Sequence, residues 1–199
     1  MLTSTSNNGN YKGVAGKLYR SCRENVKGGM GKCEEKFGEW GRCATFAGSN
    51  KRRGMITFDF YTEHGEQLPA ALQEGRSKVE KWLRKVAAGY GFRVGELHYL
   101  LCTDEEELAV NRHFLGHDYY TDVITFDYST PSTVSGDIFI SLETVRSNAE
   151  EAGTAYDDEL RRIIVHGLLH LTGQADKTPE TKAQMTAKEE NALTMYNQL

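Results

Sequence analysis

The chain shows two kinds of hydrophobic pattern from Met55 onward, and together they predict a mixed α and β fold. In MITFDFYTE every second residue from Ile56 is apolar, which is the period of a half-buried strand. Residues 95–103 and the segments DVITFDYS and GDIFIS predict three more strands. We therefore expect a four-stranded sheet.

Apolar residues spaced three and four positions apart predict helices between the strands. Residues 69–88 carry an apolar stripe through Trp82 and Leu83 and a basic face elsewhere. Further helices are expected from Asp104 to about Phe114, over 142–152, from about Asp157 and Asp158 to Gly173, and from Pro179 onward. The helix before Gly173 is apolar on nearly every side, so we expect an α+β fold whose four-stranded sheet packs around this central helix.

Residues 1–54 differ in composition from the rest of the chain. They hold ten of the twenty glycines and three of the four cysteines, contain no Ile, Pro or Asp, and show no helical or strand period. They carry 11 basic and 4 acidic residues, a charge of +7, whereas residues 55–199 carry 13 and 24, a charge of −11. We expect 1–54 to be a disordered extension, or sequence upstream of a true start at Met55, and 55–199 to be the folded domain. The alternative is a basic arm that binds nucleic acid.

The composition argues against an integral membrane protein. Hydrophobic residues make up 39% of the chain and charged residues 26%, and no run approaches the roughly 18 apolar residues that a membrane span needs. The polar start MLTSTSNNGN lacks the apolar segment of a secretory signal, so the predicted compartment is the cytoplasm. Four cysteines whose spacing matches no CxxC pair are then expected to be free thiols: Cys22, Cys33, Cys43 and Cys102.

The predicted central helix contains two histidines, His166 and His170, in the apolar run IIVHGLLHL. Residues four apart lie on one helical face, so both rings can point to a common metal ion. The alternative is a pair of core histidines with separate hydrogen bonds, which is harder to satisfy in so apolar a run. Zinc needs a third ligand, and after the turn at Gly173 the nearest carboxylate is Asp176, with Gln174 as the weaker neutral candidate. The other histidines all lie upstream, at His64, His98, His113 and His117.

A site of two histidines and one aspartate would hold one zinc ion and leave a position for a catalytic water. A zinc peptidase of the zincin type reads HExxH, with a glutamate after the first histidine as general base. Here Gly167 occupies that position, so the peptidase interpretation loses its proton acceptor. The zincin-like placement of two ligands on one helix survives.

Three motifs carry a resemblance to a known family. HGLLHLTGQAD resembles HGxLHLxGYDH, the signature of the YbeY family of bacterial endoribonucleases, which are rRNA maturation factors. NRHFLGHDYYTDVITFDY resembles the family segment N-x-x-Y-R-x-x-D-x-x-T-D-V-L-S-F, and GDIFIS resembles the strand that follows it. The likeness runs from about Met55 to the C-terminus, and residues 1–54 have no counterpart in it.

The resemblance implies roles for individual residues. The two histidines take the first two zinc positions of the family, and the third, a histidine in most members, falls on Asp176. The arginine of the family's YR pair falls on Leu115, and Phe114 takes the aromatic position. Arg112, one helical turn upstream, is the candidate to replace that arginine in catalysis.

The implied activity is zinc-dependent cleavage of single-stranded RNA, in maturation of the 3′ end of small-subunit (16S) rRNA and in ribosome quality control. The implied partners are rRNA and the small ribosomal subunit or factors associated with it. Two chemistries are compatible with the site: attack on the phosphodiester by a water activated at the zinc, or attack by the RNA's own 2′-hydroxyl with the zinc polarising the phosphate.

The charge of −11 over residues 55–199 would repel RNA, unless basic residues gather beside the metal. Lys81 and Lys85 are the candidate RNA-binding residues. They belong to a predicted basic wall that comprises Arg76, Lys78, Lys81, Arg84, Lys85, Arg112, Arg161 and Arg162. The alternative is that these charges form ordinary solvated helix faces. Likewise Phe114, Tyr119 and Tyr120 could stack on unpaired bases or simply belong to the core.

Two other functional classes stay open at the level of sequence. One is the zinc peptidase, which Gly167 disfavours. The other is a non-catalytic, ribosome-associated module in which zinc closes the fold. A structural zinc is usually held by four protein ligands, so a fourth side chain on the metal would favour the module, and a bound water would favour an enzyme.

Overall fold

The computed structural model of the chain describes residues 54–61 and 67–199. The predicted N-terminal extension therefore lies, except for Gly54, outside the described residues, as does His64. The strands are β1 Met55–Phe60, β2 Arg93–Cys102, β3 Val123–Asp127 and β4 Thr133–Ser141. The α-helices of the described part are α1 Ala70–Gln73, α2 Arg76–Gly89, α3 Asp104–Val110, α4 Leu142–Ala152, α5 Tyr156–Leu171 and α6 Pro179–Asn197.

The strands form one mixed sheet in the order β1-β2-β4-β3. β1 and β4 both pair in parallel with β2, and β3 pairs antiparallel with β4. Val123 at the start of β3 faces Ile140, which in turn pairs with Leu101 near the end of β2. The segment that enters β3 consequently lies at the end of the sheet where β2 and β4 finish. The observed fold is α+β with a four-stranded sheet, as predicted.

The two faces of the sheet bury different cores, because successive side chains of a strand point to opposite faces. On one face, Leu97, Tyr99 and Leu101 pack in the main core with residues of α2, α5 and α6. On the other face, Leu100 and Cys102 pack in a smaller cluster with residues of α3 and of the segment that follows it. Helix α5 is buried along most of its length, and it contacts α2, α4, α6, β3 and β4.

The predicted single helix over 69–88 is wrong in one respect, because the structure interrupts it at Glu74 and Gly75. A Cβ atom on Gly75 would lie 2.6 Å from the carbonyl oxygen of Ala71, so the chain bends where a side chain has no room. Helix α3 begins with a capping box between Thr103 and Glu106, and a π-helical turn over Asn111–Leu115 continues it. None of the helices in the described ranges combines the length and apolar character required to span a membrane.

Candidate metal centre

The end of α5 brings the three predicted zinc ligands together. The acidic first turn of the helix, with Asp157 and Asp158, favours its N-terminus, as the sequence predicted. Gly173 has a φ of +87°, and this left-handed conformation reverses the chain after the last turn of the helix. The backbone N–H of Gln174 donates to the carbonyl of Leu169 over 3.0 Å, which closes the turn. Asp176 thereby folds back towards the helix that carries the histidines.

The donor atoms of His166, His170 and Asp176 converge. The Nε2 atoms of the two rings are 2.9 Å apart. Oδ2 of Asp176 lies 3.8 Å from Nε2 of His166 and 3.7 Å from Nε2 of His170. The three residues are 5%, 3% and 9% exposed, so the group is almost completely buried. Among the described residues, these three side chains form a group able to hold a metal ion.

Each imidazole is oriented through its other nitrogen. Nδ1 of His166 lies 2.6 Å from Oε1 of Glu189, a buried residue of α6. Nδ1 of His170 lies 2.9 Å from the backbone carbonyl oxygen of Gln174. Both oxygens are acceptors, so both Nδ1 atoms carry the proton and both Nε2 atoms are left to bind a cation. The side chain of Gln174 hydrogen-bonds to Lys188 and to the Thr172 carbonyl instead of joining the group.

The two histidine rings differ in pKa. Burial lowers the pKa of His166, but the hydrogen bond with Glu189 and the charges of Asp122, Glu189 and Asp176 outweigh it, so the net pKa is raised. Burial, and then the positive charge of His166, lower the pKa of His170 to about 4. The two rings therefore differ, with His166 the more basic and His170 the less basic of the pair.

The donor set fits a zinc ion. Two lone pairs on nitrogen atoms 2.9 Å apart repel each other unless a proton or a metal cation lies between them. Ligand atoms about 2.0–2.2 Å from one zinc ion lie at most about 4 Å from each other. All three separations meet that limit. Two imidazoles and a carboxylate are also ligands that zinc accepts.

A cleft of about 140 Å³ opens over His166 and Asp176. Its lining comes from α4, α5, α6 and the segments around them: Asp122, Asn148, Glu159, Arg162, Ile163, His166, Asp176, Lys182, Met185, Thr186 and Glu189. Arg162 is fully engaged, since its Nε and two terminal nitrogens approach Glu159, Glu189 and Glu190 at 3.4, 3.4 and 2.7 Å. Lys182 is exposed and forms no ion pair with any residue of the described ranges.

The structure also accounts for Gly167, which stands where a zincin peptidase has its glutamate. A Cβ atom on Gly167 would lie 2.7 Å from Cγ2 of Ile138 and 3.4 Å from Cγ2 of Val123. The position faces the sheet, not the cleft, and a glutamate side chain has no space there. The predicted loss of the peptidase's proton acceptor therefore has a steric basis.

The other predicted site residues lie elsewhere. Arg112 is exposed and forms an ion pair with Asp118 at 2.5 Å. Leu115, at the position of the family's arginine, packs partly buried against the smaller core, as does Phe114. Lys81 and Lys85 are exposed on α2, and neither lines the cleft.

Two residues of the site escaped the sequence analysis. Glu189 lies in a polar helix where no local pattern distinguishes it from its acidic neighbours. Asp122 is 4% exposed and lies on the cleft wall, where it acts electrostatically on both histidines. Its place in the TDV segment, within one of the family motifs, was the signal that could have identified it.

Comparison with known proteins shows the family of the chain. The sequence profile named Endoribonuclease YbeY matches residues 61–197. The chain belongs to the YbeY family. It is 55% identical over 137 residues to the endoribonuclease YbeY of Phocaeicola vulgatus, a match that covers 69% of this chain and 97% of the relative. It is 50% identical over 135 residues to that of Bacteroides thetaiotaomicron, covering 68% of this chain and 96% of the relative.

A solution structure of a protein from Thermotoga maritima shares the fold with a TM-score of 0.51 and 24% identity, and the match covers 71% of this chain and 89% of that one. The predicted family is confirmed, and it is a family of hydrolytic nucleases by name. The YbeY profile begins at residue 61, close to the predicted start of the resemblance near Met55. Residues 1–54 lie outside the match.

Proposed function

We propose that the chain is a zinc-dependent endoribonuclease that cleaves single-stranded RNA in the maturation of the 3′ end of small-subunit (16S) rRNA and in ribosome quality control. The observation that carries the proposal is the convergence of His166, His170 and Asp176 beneath an open cleft, in a member of the YbeY family. A zincin-like fold belongs to the same proposal and is supported by two candidate ligands on one buried helix beside a mixed sheet. One zinc per chain, a cytoplasmic location and contact with the small ribosomal subunit belong to the same proposal.

An enzyme is favoured over a module in which zinc only closes the fold. The described residues supply three converging side chains, whereas structural zinc is usually held by four. The cleft above them gives a substrate access. When bound, zinc would supply Lewis-acid stabilisation of the charge that develops on phosphoryl oxygens.

The chain's own residues have distinct tasks in this proposal. Glu189 and the carbonyl of Gln174 hold the two rings in the tautomer that binds a cation. Arg162 neutralises the carboxylates of Glu159 and Glu189, which would otherwise repel a phosphate. Lys182 is the cation left to contact the RNA backbone, because it lines the cleft and forms no ion pair among the described residues.

The proposal is tested by incubating the full chain, loaded with zinc, with end-labelled single-stranded RNA and with the same RNA in a duplex. We expect cleavage of the single strand, little cleavage of the duplex, loss of activity after a chelator removes the metal, and recovery when zinc is returned. A casein digest under the same conditions provides the peptidase control. Zinc-loaded protein that leaves single-stranded RNA intact would contradict the proposal.

Replacing Lys182 by glutamine is expected to weaken RNA binding without loss of zinc. Removing one phosphate contact lowers the slope of log affinity against log salt by about 0.7 for a single strand. Affinity is measured by fluorescence anisotropy at several salt concentrations. The matched control is Arg93→Gln, which also removes one positive charge but lies at the start of β2, roughly 30 Å along the strand from the end nearest Asp122.

An unchanged salt slope in Lys182→Gln would exclude the lysine as a phosphate contact. The basic face of α2 is the competing RNA surface, and Lys81 and Lys85 stay its predicted contacts. Charge reversal at both, with zinc retained, distinguishes the two surfaces, because only an RNA-binding face loses affinity when its charge is reversed. Arg112 likewise stays a predicted catalytic residue, which would have to leave Asp118 to reach a substrate.

A further inference from the structure

A second hollow of about 150 Å³ adjoins the metal cleft. It is lined by Tyr120, Thr121, Asp122, Thr144 and Asn148. Asp122 and Asn148 also line the metal cleft, so the two hollows share a wall. A chain that places a phosphate at the metal can therefore continue directly into the second hollow.

The backbone on both sides of Tyr120 is fixed by buried side chains. Nδ2 of Asn111 donates to the carbonyl of Tyr119 at 2.8 Å, and the backbone N–H of Thr121 donates to Oε2 of Glu107 at 3.2 Å. Asn111 and Glu107 are both buried. Tyr120 thus lies on a segment whose backbone is already ordered. Less backbone entropy is therefore lost when a ligand binds there.

The ring of Tyr120 itself is left exposed. It is 59% exposed, one of the few large apolar residues on the described surface, and it stacks on no other aromatic ring of the described part. Its neighbour Tyr119 is different, since that ring stacks on His117 and its hydroxyl hydrogen-bonds to the same histidine at 3.0 Å. Of the two tyrosines, Tyr120 is the one with a free face.

Asn148 supplies polar groups in the same hollow. It lies one helical turn after Thr144 on α4, so both side chains face the same side. The Thr144 hydroxyl donates to Asp104 at 2.8 Å, whereas the Asn148 amide makes no hydrogen bond to any residue of the described ranges. A half-buried amide with a free donor and a free acceptor matches the edge of a nucleobase.

We propose that Tyr120 and Asn148 form a binding subsite for one unpaired nucleobase of the RNA whose phosphate lies at the metal centre. The base stacks on the ring of Tyr120, and its polar edge hydrogen-bonds to the Asn148 amide. This inference rests on the proposed function and extends it, because it gives a reason for single-strand selectivity. A base inside a duplex offers neither a free face nor a free pairing edge.

The test is binding of two probes to the zinc-loaded full chain by fluorescence anisotropy: a 2′-O-methyl single-stranded RNA, whose integrity is checked on a gel after each titration, and an abasic oligomer of equal length. Stacking of one base on an aromatic ring contributes about 1–3 kcal/mol by alanine substitution, so Tyr120→Ala is expected to weaken RNA binding roughly 5- to 150-fold. Tyr120→Phe keeps the ring and is expected to bind as the wild type does. Neither variant should change the affinity for the abasic oligomer.

Asn148→Ala is expected to reduce the difference in affinity between homopolymers of different bases, since the amide reads the base edge. Zinc content and the unfolding midpoint, measured for every variant, exclude a general loss of structure. If the wild type cleaves RNA but Tyr120→Ala binds both probes as the wild type does, the subsite is refuted and the proposed function stands. If the wild type neither binds nor cleaves RNA, both proposals fail.

Discussion

Replacing His166 by alanine is expected to abolish RNA cleavage and to reduce zinc in the purified protein from about one ion per chain to a trace. The variant removes one of two converging imidazoles and also leaves Oε1 of the buried Glu189 without its hydrogen bond to the ring. Loss of a residue that only orients a ligand already costs about 10- to 100-fold in metal affinity or activity, so loss of the ligand itself is expected to cost at least 100-fold. Native mass spectrometry and a competitive chelator titration measure the metal, and labelled RNA measures the activity.

The matched control is His98→Ala, which removes a half-buried histidine on β2. Its ring hydrogen-bonds to Thr57 of β1 at 2.9 Å. Asp176→Ala is the graded comparison. Two histidines remain in that variant, so we expect zinc affinity to fall by an order of magnitude or more, and unchanged affinity would rule out Asp176 as a ligand. Equal cleavage by His166→Ala and the wild type would assign the activity to a contaminant.

The parts of the site that the sequence predicted are those fixed by local geometry. His166 and His170 meet because residues four apart share a helical face, and this holds in any helix. Asp176 was found because Gly173 has to end the helix and the next carboxylate then returns over it. Each inference needed only the residues within one or two turns.

The parts that the sequence missed depend on tertiary packing. Glu189 reaches His166 only because α6 packs against α5. The local sequence of α6 does not predict this contact. The same holds for Gly75, where one continuous hydrophobic pattern hides a break at which a Cβ atom would lie 2.6 Å from the Ala71 carbonyl oxygen. The predicted basic wall is a similar case, since its eight members were grouped by charge, and of these only Arg162 lines the cleft.

The second large effect is expected at a residue that touches no metal. Gly167→Glu restores the HExxH pattern of a zinc peptidase, but we expect it to unfold the domain rather than to create a peptidase. The first carbon of the new side chain would overlap Cγ2 of Ile138 at 2.7 Å, and that methyl is attached directly to the Cβ of a β-branched residue with few alternative rotamers. Overpacking costs about 1–3 kcal/mol, and a carboxylate buried without a partner adds several more, so the expected loss is at least about 3 kcal/mol. Urea denaturation followed by circular dichroism measures it.

Gly89→Glu is the matched control. Gly89 lies in a helix, as Gly167 does, but it is exposed, and no atom lies within 4 Å of a Cβ placed there. Glutamate has the higher helix propensity, so the control is expected to be as stable as the wild type or slightly more stable. A Gly167→Glu protein that unfolds at the same urea concentration as Gly89→Glu would show that α5 has room against the sheet. In that case the absence of a glutamate at position 167 would be explained by the chemistry of the site and not by packing. The expected difference instead means that close packing of α5 on β4, which sets the two histidines beneath the cleft, is itself incompatible with the peptidase motif.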